Sequence, residues 1–108
     1  MSENRVKALI KKIRGNGLTA ERLRNLEVLV ALSLLLDPKS WEGMSANEKQ
    51  TLRNEVTPLL TEIDAIIWQV IHQFNEEATE EEETTFNKVR CDILRLRQEL
   101  KLPLPAAS

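Results

Sequence analysis

Residues 45–74 read SANEKQTLRNEVTPLLTEIDAIIWQVIHQF. Leu52, Val56, Leu59, Ile63, Ile66, Val70 and Phe74 follow one another at steps of three and four. That spacing averages close to 3.5 residues and marks one seam of a long helix. Leu60, Ile67, Trp68 and Ile71 widen the seam into a core-facing stripe. Ser45 and Glu48 stand three apart at its start, in the form of a capping box. Pro58 falls inside the stretch. Thr57-Pro58 reads either as the cap and first residue of a new helix or as a kink in one helix. The unbroken apolar phase favours one kinked or closely jointed helix.

Outward toward the C-terminus, Thr79 precedes Glu80, Glu81, Glu82 and Glu83. Carboxylates suit the positive end of a helix dipole, so this is a helix start. Phe86, Val89, Ile93, Leu96 and Leu100 then repeat at steps of 3, 4, 3 and 4. Two long helices with matching seams and a connection of about five residues form an antiparallel pair. Pro103 and Pro105 end the second arm.

Outward toward the N-terminus, Val6, Leu9, Ile10 and Ile13 make an i, i+3, i+4, i+7 stripe. Gly15-Asn16-Gly17 follows, so the first helix covers residues 3–14. Thr19 is a good N-cap for a second helix over residues 20–36, which Asp37-Pro38 ends. The last nine residues of that helix, VLVALSLLL, are apolar nearly all round. Such a helix must be surrounded, and a chain of three or four helices is expected to need a partner to do it. Trp41, in the turn-rich connection 37–44, reads as a plug on the bundle end or as an exposed recognition anchor. The expected fold is all-α: a small helical bundle in one domain, residues 1–108. It is built on a long antiparallel helical hairpin (46–74 and 80–101) with two shorter N-terminal helices.

Composition narrows the chemistry. The chain has 108 residues, of which 42% are hydrophobic, too many for a disordered chain. One Cys cannot build a disulfide framework, and one Cys with one His cannot build a zinc site within one chain. Cys91 reads as a half-buried packing residue, and His72 as a rim residue near a helix end. A dyad across the hairpin has no support beyond both lying on its arms. Gln69 stands where a Glu-x-x-His metal motif would put its carboxylate. The glycines lack the strand and Gly-Lys-Ser/Thr of a phosphate loop. Residues 14–26 open like a helix-turn-helix but run on into the apolar stretch without a recognition helix. The N-terminus has no apolar secretory core, and the longest apolar run is far short of the roughly 20 residues of a membrane span. A cytoplasmic protein without catalytic residues, metal, cofactor, small-molecule substrate or membrane contact is therefore expected.

Net charge is −2 in sum but segregated along the chain. Residues 1–24 carry +5, residues 25–74 carry −4, residues 75–83 carry −6 and residues 84–108 carry +3. Two functional expectations follow. The first is a protein–protein interaction or adaptor module, expected as a homodimer. Its interface would use Val28, Leu29, Leu32, Leu35, Leu36 and Trp41, and its charged rims would set orientation. The second is an accessory helical subunit of a nucleoprotein complex. Lys7, Lys11, Lys12, Arg14, Arg22 and Arg24 would contact the phosphate backbone of nucleic acid, with Arg90, Arg95, Arg97 and Lys101 on the last helix adding to the basic face. The basic segments lack the aromatics of a base-stacking platform.

Overall fold

The computed structural model describes residues 2–72 and 79–101, with side chains from Asn4 onward. Among them the chain is all-α. The elements are α1 (Ser2–Arg14), α2 (Ala20–Arg24), α3 (Leu26–Leu36), a 3₁₀ turn (Pro38–Trp41), α4 (Ala46–His72) and α5 (Glu80–Glu99). The long α4 packs against α5 and against the shorter N-terminal helices. Phe74, at the end of the expected first arm, lies outside the described residues, as does most of the connection between the arms.

The seams read from the sequence form the core. Leu52, Val56, Leu59, Ile63 and Val70 of the α4 seam are buried, with Leu60, Ile67 and Ile71 beside them, as are Phe86, Val89, Ile93, Leu96 and Leu100 on the opposite arm; Ile66 is only half-buried, and Trp68, expected in the core-facing stripe, is 50% exposed. Val6, Leu9, Ile10 and Ile13 of α1 complete one apolar cluster with α3 and Leu23. Burying such side chains stabilises by about 2 kcal/mol each before entropy is counted.

Helix starts are set by short polar side chains. The Thr79 hydroxyl accepts from the Glu82 amide at 3.0 Å, and Glu82 Oε1 accepts from the Thr79 amide at 3.3 Å, a full capping box. Ser45 Oγ accepts from the Glu48 amide at 3.2 Å.

The expected helix over residues 20–36 is two helices. Asn25 has an extended backbone, closes α2 with its amide on the Arg22 carbonyl, and opens α3 by accepting from the Glu27 amide at 2.8 Å. Asn favours this capping role over a helix interior, because its side chain competes for backbone amides. At Pro58 the chain stays in a single α4. The Thr57 hydroxyl donates to the Arg53 carbonyl at 2.7 Å, so Thr57 is an interior helical residue and not a cap. Proline there removes the bond to the Asn54 carbonyl, and Asn54 is exposed to water.

The C-terminal end of α3 is closed by the 3₁₀ turn. Ser40 Oγ donates to the Leu34 carbonyl, and Trp41 Nε1 donates to the Leu35 carbonyl at 2.8 Å. The Leu34 carbonyl also accepts from the Asp37 amide at 3.3 Å, so the Ser40 hydroxyl adds a second bond there, while Trp41 serves the Leu35 carbonyl at the helix end. Trp41 is 2% exposed, so it is the plug of the two expected alternatives.

Candidate functional site

Helix α3 decides the surface. Val28, Ala31, Leu32, Leu35 and Leu36 point inward and are buried, and Leu29 is half-buried. α1, the 3₁₀ turn and α5 all pack on this side. The expectation that the chain could not enclose this helix is corrected for that face. Val28, Leu32, Leu35, Leu36 and Trp41 are covered by the chain's own helices, because α1 brings a complete apolar stripe to α3 and the 3₁₀ turn folds Trp41 back over its end.

The opposite face is left open. Leu26 is 74% exposed, Val30 52% and Leu34 36%. They lie four residues apart, one above the next on a single side of the helix, with the small polar Ser33 among them. The stripe opens into a groove between α3 and the first turns of α5. Leu29 and Phe86 line it on the apolar side, and Glu81 and Thr85 border it. Arg24 Nε bonds Glu82 Oε2 at 2.6 Å across one end. That bond, followed by the Thr79 amide, holds the Glu82 carboxyl below the usual range.

The sequence identifies the apolar helix, but of the expected interface residues the structure buries Val28, Leu32, Leu35, Leu36 and Trp41 within the chain, and it leaves Leu26, Val30 and Leu34 exposed. In a run of nine residues with one polar member, Ser33 was the only cue to the outward direction, and Leu26, Val30 and Leu34 share its side.

The six cations expected to grip phosphate are only partly brought together. Lys7, Lys11 and Arg14 border one cleft between α1 and α4, with Glu55 facing into it. Lys12 is exposed. Arg22 is turned back onto the chain itself, where Nη2 donates to the Lys12 carbonyl at 2.7 Å and Nε to the Ile13 carbonyl at 3.3 Å. It caps the C-terminal end of α1, where a cation also meets the negative end of the dipole. Arg24 is paired with Glu82. On α5, Arg95 pairs with Asp92 at 3.2 Å, and Arg97 is 2% exposed and lies in the core, so these side chains do not form one basic face.

Arg97 is positioned by α4. Its Nη2 lies 3.5 Å from Asp64 Oδ2 and 3.4 Å from Thr61 Oγ1. Burial raises the Asp64 pKa, and the Arg97 and Arg90 charges partly offset that rise. Arg90, Cys91 and Leu94 line the groove above this pair. Cys91 is exposed, not half-buried as its place beside the seam suggested. His72 lies against Trp68, with ring centroids 4.9 Å apart. Among the described residues no three His, Cys, Asp or Glu side chains are placed to hold a metal ion, and no helix is long and apolar enough to cross a membrane.

The chain matches no protein-family model, and no curated protein or solved structure matches it.

Proposed function

We propose that this chain is a non-catalytic helical interaction module that self-associates through the outward face of α3. The observation that carries the reading is the stripe Leu26, Val30 and Leu34, three large aliphatic side chains left in water on the most apolar helix of the chain. Scattered apolar residues on a surface are ordinary, but an aligned set beside a groove is a contact surface.

A second copy fits this stripe by its own symmetry. With two α3 helices antiparallel about an axis at Val30, Leu26 meets the other copy's Leu34 and Val30 meets its equivalent. Glu27 then falls opposite Ser33, so no like charges are opposed. A two-fold pair of this kind needs one self-complementary patch. A standard interface covers about 800 Å² per partner, a little over a tenth of the 7030 Å² surface. One helix face is too narrow for that, and the adjoining α3–α5 groove supplies the remaining width.

The phosphate-binding alternative has less behind it. Two of its six cations are committed within the chain, and Glu55 stands among three others. Light scattering with size-exclusion chromatography tests the lead reading. The expected mass is that of two chains, falling to one for Val30→Asp with helicity retained. A single-chain mass for the unaltered protein at about 100 μM, a concentration well above common dimer constants, contradicts it.

A further inference from the structure

The cleft between α1 and α4 shares no lining residue with the α3 stripe or its groove. Lys7, Lys11 and Arg14 are spaced by four and three residues, so one side of α1 presents them all. They line the cleft, with Asn54 and Glu55 on the α4 wall. Arg14 is half-buried, and its Nε is shut off from solvent without a hydrogen-bond partner among the described residues. A buried donor left unsatisfied is costly and calls for a physical reason. Arg24, Arg95 and Arg97 each face a carboxylate, whereas no ion pair holds Arg14 or Lys11 among the described residues.

The C-terminal end of a helix ordinarily repels an anion, because its carbonyls point outward. Arg22 removes that obstacle here. It bonds the Lys12 and Ile13 carbonyls. Its guanidinium lies beside Gly15, which is itself part of the cleft lining, and so adds a further positive charge at the rim.

Size and charge name the ligand class. A nucleic-acid strand needs cations in a row along an open surface, and two of the six expected ones are bonded elsewhere. One compact phosphate needs only donors that converge. Arg14 offers a planar guanidinium fork, Lys11 an ammonium and Asn54 an amide. A phosphate ester carries nearly two negative charges at neutral pH, which three lining cations answer against the single carboxylate of Glu55. The cleft encloses about 530 Å³, within the range of small-molecule sites. Ile10 and Pro58 give it an apolar wall for the organic part of an ester.

We propose that the α1–α4 cleft is a binding site for a phosphate dianion, free or as the monoester of a small molecule, held by Arg14 and Lys11. The site is separate from the surface assigned to self-association.

The test is isothermal titration of the full chain with phenyl phosphate, inorganic phosphate and benzoate at one ionic strength. Phenyl phosphate is expected to bind with Kd of about 1 mM or tighter, and benzoate, the same ring with a single charge, about tenfold more weakly. Arg14→Gln and Lys11→Gln are each expected to weaken phenyl phosphate about tenfold. Glu55→Gln should tighten it, and Lys12→Gln, outside the lining, should leave it unchanged. Circular dichroism confirms helicity in each variant. Inorganic phosphate distinguishes the sources: an affinity equal to that of phenyl phosphate assigns the free ion, and a weaker one assigns an ester, both supporting the site. Absence of saturable binding, equal affinity for benzoate, or an unchanged affinity in Arg14→Gln overturns the proposal. So does tighter binding of single-stranded oligothymidine that Lys12→Gln weakens as much as Arg14→Gln does, since that would be an extended basic face. None of these outcomes bears on the mass of the unaltered protein, so the two readings fail separately.

Discussion

Arg22 occupies the space that any side chain on Gly15 would need. A Cβ built on Gly15 would lie 2.6 Å from the Arg22 guanidinium carbon, and Gly15 itself has φ +52°. The guanidinium is held there by the Lys12 and Ile13 carbonyls. The missing side chain at the end of α1 and the arginine that caps it are therefore one feature.

Gly15→Ala is expected to lower the urea midpoint by the equivalent of about 2 kcal/mol, from left-handed backbone strain and displacement of the cap. Arg22→Ala is expected to cost about 1 kcal/mol. The double variant should cost less than the two together, since Arg22→Ala clears the space that Gly15→Ala invades. Strict additivity in a double-mutant cycle would show that Gly15 and Arg22 act separately.

The Arg97–Asp64 pair predicts an asymmetry. Arg97 is 2% exposed, whereas the Asp64 side chain is 23% exposed. Asp64→Ala removes the carboxylate 3.5 Å from a buried guanidinium and is expected to cost about 2 kcal/mol. Arg97→Met replaces the charge with an apolar chain and leaves a carboxylate that still reaches water, so it is expected to cost clearly less. It also removes the largest charge that lowers the Asp64 pKa, so that pKa should rise further in a carboxyl titration followed by NMR. Asp64 already holds its proton more tightly in the fold than in the unfolded chain. Its contribution therefore grows as pH falls through the raised value, and Arg97→Met should enlarge that trend.

Glu82 runs the other way. Arg24 and the Thr79 amide lower its pKa from the ordinary value of 4.5. The unfolded chain then binds the proton more readily, so the stability that Glu82 contributes is present above pH 4.5 and is lost as pH falls through the lowered value. Glu82→Gln should flatten that part of the acid limb while leaving the α-helical signal at neutral pH unchanged. Its capping amide can still accept from Thr79. Thermal melts between about pH 3 and pH 6 bracket this window, and an unchanged acid limb would remove the Arg24–Glu82 tie from the energetics.

Leu32 and Val30, two residues apart on α3, should respond in opposite ways to the same change. Leu32 is 1% exposed and Val30 52%. Leu32→Asp places an unpaired carboxylate in the core and is expected to unfold the chain. Val30→Asp should keep native helicity by circular dichroism. Lys11→Glu with Arg14→Glu, on the cleft between α1 and α4, should leave the fold intact as well.

How far the sequence carried these conclusions depended on how distinct each signal was. The seams of α1, α4 and α5 alternate apolar and polar residues strongly, and their buried sets follow the spacing almost residue for residue. Asn25 was missed because one polar residue inside an otherwise helical pattern looks like an exposed position, and its cap becomes visible only with the Glu27 amide beside it. Residues 28–36 have almost no polar side to read, so their inward face could be found only from what packs on it. The basic residues were counted correctly by charge, but Arg22, Arg24 and Arg97 bond groups between 9 and 58 residues away in the chain. Separations of that size leave no trace in a local pattern.

Crosslinking through α3 tests the central claim most directly. With Cys91→Ser removing the native exposed thiol, Val30→Cys places a thiol on the proposed two-fold axis. Mild oxidation is expected to convert most of the chain to a disulfide-linked dimer that keeps its helicity, while Leu26→Cys in the same background, whose partner across the axis is Leu34, stays largely uncrosslinked. A Val30→Cys chain that remains a single chain under those conditions, or that crosslinks no better than Leu26→Cys, would contradict self-association through the outward face of α3.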